Sequence, residues 1–202
     1  MKTRILLLSI LMWAGSLTAF SQGVTAKSVL DKCAAKIGRA GGAKANFTIS
    51  SGKNSLSGTI CIKGNKYYAT TPQATVWFDG KTQWAYMKNT DEVNISTPTA
   101  AQQSQTNPLK FITIYKNGYK MDMKTVGSNY EIHLTSTQKG GSIQEMYIHV
   151  NKASYLPSLV KIRQGSTWSN VKISGFQAQN QNDAIFKFNP KKYPKAEIID
   201  LR

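Results

Sequence analysis

The sequence predicts a mainly β protein: one large antiparallel sheet curled into an open barrel, accompanied by two helical segments. From Ala45 onward, apart from one polar stretch and a short helix, apolar residues alternate in short runs separated by turns, enough for about eleven strands. Only two stretches carry helical spacing, and no break in composition and no internal repeat marks a second domain in 202 residues. Lys+Arg 26 against Asp+Glu 10 leave a net charge of +16, but 41% hydrophobic residues supply a real core and exclude a disordered polycation.

The N-terminus reads as an export signal. Lys2 and Arg4 precede an apolar run from Ile5 to Ala14, which ends in Ser16, Thr18, Ala19 and Ser21. The run is shorter than the roughly 20 residues a membrane-spanning helix needs; the other reading is a buried N-terminal helix. Residues 1–21 are thus expected to be removed after Ser21, leaving a mature domain of residues 22–202 with net charge +14. A lipid-anchored product needs Cys at the cut, whereas the first is Cys33.

Val24 to Ile37 sets Val29, Leu30, Cys33, Ala34 and Ile37 on one helical stripe, and Gly38, Gly41 and Gly42 stop it. The period then becomes two: Phe47 and Ile49; Leu56, Gly58, Ile60 and Ile62; Tyr68; Val76 and Phe78; a tight Asp79-Gly80 turn; Thr82, Trp84 and Tyr86. A two-residue turn would set Trp77 opposite Thr82 and Thr75 opposite Trp84, with both tryptophans on one face. The other face carries Val76, Phe78, Ala85 and Met87, so this hairpin is apolar on both sides and must be covered twice or line a cavity.

A polar stretch, Thr97 to Thr106, leads to a second helix with Asn107 as cap, Pro108 in the first position and Gly118 at the end. Leu109, Phe111, Ile112, Ile114 and Tyr115 overfill a single stripe, which fits either a helix touching core on one side and something else on the other, or a fully buried core helix. Further strands are expected at Tyr119–Val126, Tyr130–Ser136, Ile143–Val150, Tyr155–Ile162 and Trp168–Ile173, with a last pair around Ile185–Phe188 and Glu197–Ile199.

Catalytic signatures are missing. His133 and His149 lie in alternating strands with no carboxylate or Cys at metal-ligand spacing, Asp91-Glu92 reads as a surface turn, and no phosphate-loop, dinucleotide or serine-hydrolase motif occurs. Neither enzyme activity, metal nor cofactor is expected. Cys33 and Cys61 would pair in an exported protein, closing a loop worth about 3 kcal/mol, or remain two buried thiols.

The run Trp77-Phe78-Asp79-Gly80-Lys81-Thr82-Gln83-Trp84-Ala85-Tyr86 resembles a hairpin of the LolA family of periplasmic outer-membrane lipoprotein carriers. Ala45-Asn46-Phe47-Thr48, Asn107-Pro108-Leu109 through Ile112, and Ala184-Ile185-Phe186-Lys187-Phe188-Asn189-Pro190 followed by Glu197–Leu201 fall in matching order over nearly the whole mature chain. The resemblance implies an unclosed antiparallel β half-barrel whose concave apolar face is covered by the N-terminal helix and a short lid helix, holding acyl chains of lipoproteins carried from inner to outer membrane. Ile60, Ile62, Trp77, Trp84 and Tyr86 become candidate cavity residues, and Leu109, Phe111, Ile112 and Tyr115 candidate lid residues; alternation allows only one of the Trp77/Trp84 and Val76/Phe78 faces to point inward.

The implied setting is a periplasmic monomer, loaded by an inner-membrane lipoprotein-releasing ABC transporter and unloaded to an outer-membrane acceptor. One feature departs from the family: where carriers place a lid-holding Arg-Pro, this chain reads Ile62-Lys63-Gly64-Asn65-Lys66-Tyr67, and Lys lacks the planar fork of Arg. Two other readings compete, a lipid-sensing envelope-stress regulator or other hydrophobic-ligand module of the same fold, and an exported basic protein that binds nucleic acid. The second lacks any Arg-aromatic platform, so no nucleic acid is expected. Lys187, Lys191, Lys192 and Lys195 form either a solvated face or a surface steering the protein to a membrane partner.

Overall fold

A computed structural model describes residues 23–100, 102–103 and 107–202. The expected signal, residues 1–21, lies outside the described residues, as does the side chain of Leu109. No helix among the described residues is long and apolar enough to cross a membrane.

The first helix, α1, spans Ala26–Ile37 and starts from a reciprocal capping box between Thr25 and Ser28. Val29, Leu30, Cys33 and Ile37 form its buried stripe. Twelve strands follow in one sheet: β1 (Ala43–Ser51), β2 (Asn54–Lys63), β3 (Lys66–Thr70), β4 (Ala74–Phe78), β5 (Gln83–Met87), β6 (Glu92–Ser96), β7 (Tyr119–Val126), β8 (Asn129–Ser136), β9 (Glu145–Asn151), β10 (Pro157–Gln164), β11 (Thr167–Gln177) and β12 (Glu197–Asp200). Their order is β12-β6-β5-β4-β3-β2-β1-β11-β10-β9-β8-β7, so β12 and β7 remain as edges and the sheet stays unclosed. Strand β1 is the seam, pairing with β2 on one side and β11 on the other and thereby joining two meanders.

The second helix, α2, runs Pro108–Thr113 and tightens into a 3₁₀ turn over Ile114–Lys116; Gly118, at φ +77°, then turns the chain into β7. Helix α2 packs on α1, and α1 reaches β7 and β9. Beneath them Ile132, Leu134, Met146, Ile148 and Val150 form the core with Val29, Leu30 and Cys33. The helix-bearing side of the sheet is called the inner face below.

Four expectations need correction. The β4–β5 loop holds four residues rather than two, because Asp79 Oδ1 accepts the backbone N–H groups of Lys81 (3.0 Å) and Thr82 (2.9 Å) while Gly80 sits at φ +102°. The register therefore sets Trp77 opposite Trp84 and Phe78 opposite Gln83; a shift of two residues preserves the face on which each side chain lies.

Strand β6 escaped the sequence reading: Asp91 does turn, at φ 57°, but Glu92 begins a five-residue strand with only Val93 and Ile95 as apolar signal. Residues 185–188 do not form a strand. Asn182 accepts the N–H of Ala184 and opens a 3₁₀ turn over Asp183–Phe186 that buries Phe186 completely. Finally, β12 runs parallel to β6, so the sheet is antiparallel everywhere else.

The histidines also differ from their sequence reading. His133 Nε2 lies 2.8 Å from Glu145 and His149 Nε2 lies 2.9 Å from Glu131, pairs made across strands and hence invisible to spacing along the chain.

Candidate functional site: an apolar cavity on the inner face

Alternation assigns the two faces. Phe47, Ile49, Ile60, Ile62, Tyr67, Ala69 and Val76 point to the inner face in register with one another. From the other meander Met146, Ile148, Val160, Ile162, Val171 and Ile173 complete a cavity of about 540 Å³, with Phe111 and Ile112 of α2 at its helical side. That volume lies in the range of ligand sites.

The helices cover only part of this wall. Ile148, Met146 and Ile162 are buried, whereas Phe47, Ile60, Val171, Ile173 and Phe176 stay half-buried and Ile49 is 38% exposed. Gly58, opposite Phe47, leaves room for that ring: a Cβ there would stand 2.7 Å from Phe47 Cζ and 2.3 Å from the Thr70 carbonyl oxygen. Lys44 is the sole charged residue among the described residues lining the cavity. A surface of this kind can shelter hydrocarbon but offers no acid, base or nucleophile for chemistry.

Among the sequence candidates, Ile60 and Ile62 line the cavity, and so do Phe111 and Ile112. Tyr115 is buried at 3% exposure under α2, and its hydroxyl donates to the Asp31 carboxylate of α1. Burial and this bond push the Tyr115 phenol well above its ordinary range. The lid helix is thus fastened to α1 at its C-terminal end. At its other end the Asn107 side-chain amide, itself buried, donates to the Asn65 carbonyl of the β2–β3 turn at 3.2 Å. Lys63 and Lys66, which flank that turn, face elsewhere: both donate to Asp183, at 3.1 and 2.8 Å, and Lys63 also to the Gln181 carbonyl.

Trp77, Trp84 and Tyr86 lie on the outer face instead. Trp77 meets Tyr68, Phe188 and Tyr193 with ring centroids 5.8, 5.4 and 5.7 Å apart, and Tyr86 meets Tyr193 at 4.6 Å. The hairpin apolar on both faces is therefore covered twice: by the cavity and core inside and by the C-terminal segment outside. Sequence reading missed Phe47, Val171, Ile173 and Phe176; their period-two pattern was visible, but nothing in it says which face turns inward.

Cys33 and Cys61 are free thiols. Cys33 packs in the core under α1, whereas Cys61, between the inward Ile60 and Ile62 and in register with Tyr68, points outward. The sheet separates them, which matches the second of the two readings, a pair of buried thiols, rather than a disulfide.

The fold has known relatives. A conserved uncharacterized protein from Thermus thermophilus superimposes with a TM-score of 0.60 at 13% identity, over 87% of this chain and 98% of that one. A LolA superfamily protein from Nitrosomonas europaea gives 0.46 at 13% identity, over 82% and 98%, and LprF from Mycobacterium bovis gives 0.43 at 8%, over 78% and 96%. No curated protein matches the sequence. The family profile described as "Outer membrane lipoprotein carrier protein LolA" matches residues 17–166. Matched over most of its length, and bearing an unclosed sheet with an N-terminal and a short second helix over an apolar cavity, the chain belongs to the LolA family of outer membrane lipoprotein carrier proteins, as a divergent member.

Proposed function

We propose that this protein is a periplasmic carrier that holds acyl chains of lipoproteins in the inner-face cavity and moves them from the inner to the outer membrane. The observation that carries the reading is the incompletely covered apolar wall formed by Phe47, Ile60, Val171 and Ile173. Transferring a chain from water into such a wall is favourable by about 0.8 kcal/mol per CH₂, and family membership supplies the cargo class. Binding without chemistry suits a site in which Lys44 is the one charged lining residue among the described residues.

Release then needs α2 to move. Its polar fastenings include the Asn107–Asn65 bond at one end and the Tyr115–Asp31 bond at the other, contacts that a loading or accepting partner can replace. In this reading residues 1–21 are removed on export, an inner-membrane lipoprotein-releasing ABC transporter loads the cavity, and an outer-membrane acceptor empties it. Mass spectrometry of the protein purified from its native envelope tests the proposal: co-purified lipoprotein or acyl lipid is expected, and a ligand-free protein that also fails to saturate with a fluorescent acyl probe overturns it.

A further inference from the structure

The C-terminal segment from Asp183 to Lys195 lies over the outer face, away from the cavity, before the chain enters β12, and is unusually basic. Lys187, Lys191, Lys192 and Lys195 are all exposed, and no acidic residue interrupts the run between Asp183 and Glu197. None of the four has an ion-pair partner among the described residues, whereas Lys27, Lys63, Lys66 and Lys124 all do. Four unneutralised cations within nine residues concentrate positive potential on one strap of backbone.

The strap is held firmly. Phe186 is fully buried, the Phe188 and Tyr193 rings sit on Trp77, and Asn182 and Asn189 each cap a 3₁₀ turn, while the four lysines stay exposed. Asp183 is further tied to Lys63 and Lys66. Cations carried on such a fixed backbone lose less freedom on binding than those of a loose tail. On the strand that follows, Ile198 is in register with Val93 and so shares the outer face with Tyr86, and it stands 47% exposed. A basic strap followed on the same face by an exposed aliphatic side chain matches a bilayer interface, where headgroup charge and hydrocarbon lie within a few ångströms, better than a purely acidic polypeptide.

We infer that this basic strap is a docking surface for anionic lipid headgroups at a membrane surface, separate from the acyl-binding cavity. Each lysine near an anionic surface strengthens attachment several-fold, so the four together amount to about a thousandfold.

Vesicle flotation of the mature chain tests the inference. Binding is expected to vesicles of equal phosphatidylcholine and phosphatidylglycerol, not to phosphatidylcholine alone, and to disappear at about 1 M salt, where screening acts over about 3 Å. The variant with Lys187→Gln, Lys191→Gln, Lys192→Gln and Lys195→Gln should bind the anionic vesicles about a thousandfold more weakly at an unchanged melting temperature. The control with Lys53→Gln, Lys120→Gln, Lys139→Gln and Lys172→Gln, an equal loss of exposed charge, should change binding no more than a few-fold. Equal losses in the two variants, no preference for anionic vesicles, or capture of polyglutamate in place of vesicles would overturn the assignment.

Discussion

Replacing Phe111 by Asp separates a cavity wall from a structural core. Phe111 lines the cavity from α2 and is half-buried. Full burial of a Phe side chain contributes about 1.5–3 kcal/mol, so roughly half of that, about 1 kcal/mol, supports folding and the remainder is gained when a chain covers the ring. In the empty cavity an Asp carboxylate stays hydrated and costs little more. Under a bound chain it loses water without a partner, adding about 1–3 kcal/mol. Acyl affinity should therefore fall by about 2–4 kcal/mol, some 30-fold to 1000-fold, against a stability loss near 1 kcal/mol. Phe186→Ala is the counter-case: Phe186 is fully buried outside the cavity lining, beneath the C-terminal segment on the outer face, so about 3–5 kcal/mol of stability should go while the folded fraction binds normally. Titration with a fluorescent acyl probe and denaturant unfolding supply the two numbers for each variant. Equal losses of affinity and stability for Phe111→Asp would make α2 an ordinary core helix and refute the reasoning.

Gly58→Ala puts a methyl group 2.3 Å from the Thr70 carbonyl and 2.7 Å from the Phe47 ring, so thermal unfolding should show about 1–3 kcal/mol of lost stability and the displaced ring should reduce acyl uptake; an unchanged midpoint would count against the register. Burial pushes the Cys33 thiol up to about 12 and raises that of Cys61, so an alkylating reagent should leave the native protein largely unmodified and label both thiols after unfolding; a mass two hydrogens short would show a bridge instead. Acid should weaken the fold. The Lys124 and His149 contacts hold the Glu131 carboxyl below its usual range, and although burial pushes Glu145 up, bonds from His133 and Arg163 outweigh it. A carboxylate with a lowered folded pKa stabilises above its unfolded value, near 4.3, and that stability disappears as pH falls through the folded value. Stability should be flat with respect to these groups above about pH 5 and decline below about pH 4, and removing the pair with Glu131→Gln should flatten the slope.

Much of this molecule was legible in the sequence, and the limits are physical. The 3.6-residue stripe of Val29, Leu30, Cys33 and Ile37 and the two-residue alternation of Leu56, Gly58, Ile60 and Ile62 depend only on local geometry, and both appear as read. What failed depended on long-range partners. Nothing local tells Trp77 that its cover is Phe188 and Tyr193, more than a hundred residues later, so the most aromatic face looked like the best cavity wall. The choice between a bridge and two thiols stayed open for the same reason, since pairing depends on which side of the sheet each cysteine occupies. Phe188 itself looked like part of a strand because Phe186-Lys187-Phe188 alternates, but the Asn182 cap and the demand to bury Phe186 favour a 3₁₀ turn. The sequence showed that the family's latch Arg is absent from this turn but not what fastens the lid instead: the turn presents a backbone carbonyl, and the donor sits on Asn107.

The central claim is that acyl chains occupy the inner face, and photo-crosslinking with a diazirine-bearing fatty acyl probe, mapped by peptide mass spectrometry, tests it most directly. The account predicts adducts on Phe47, Ile60, Val171, Ile173 and Phe111, competed away by unlabelled acyl lipid. Adducts concentrated on the outer-face Trp84, Tyr86 and Tyr193, or scattered and not competed, would contradict it.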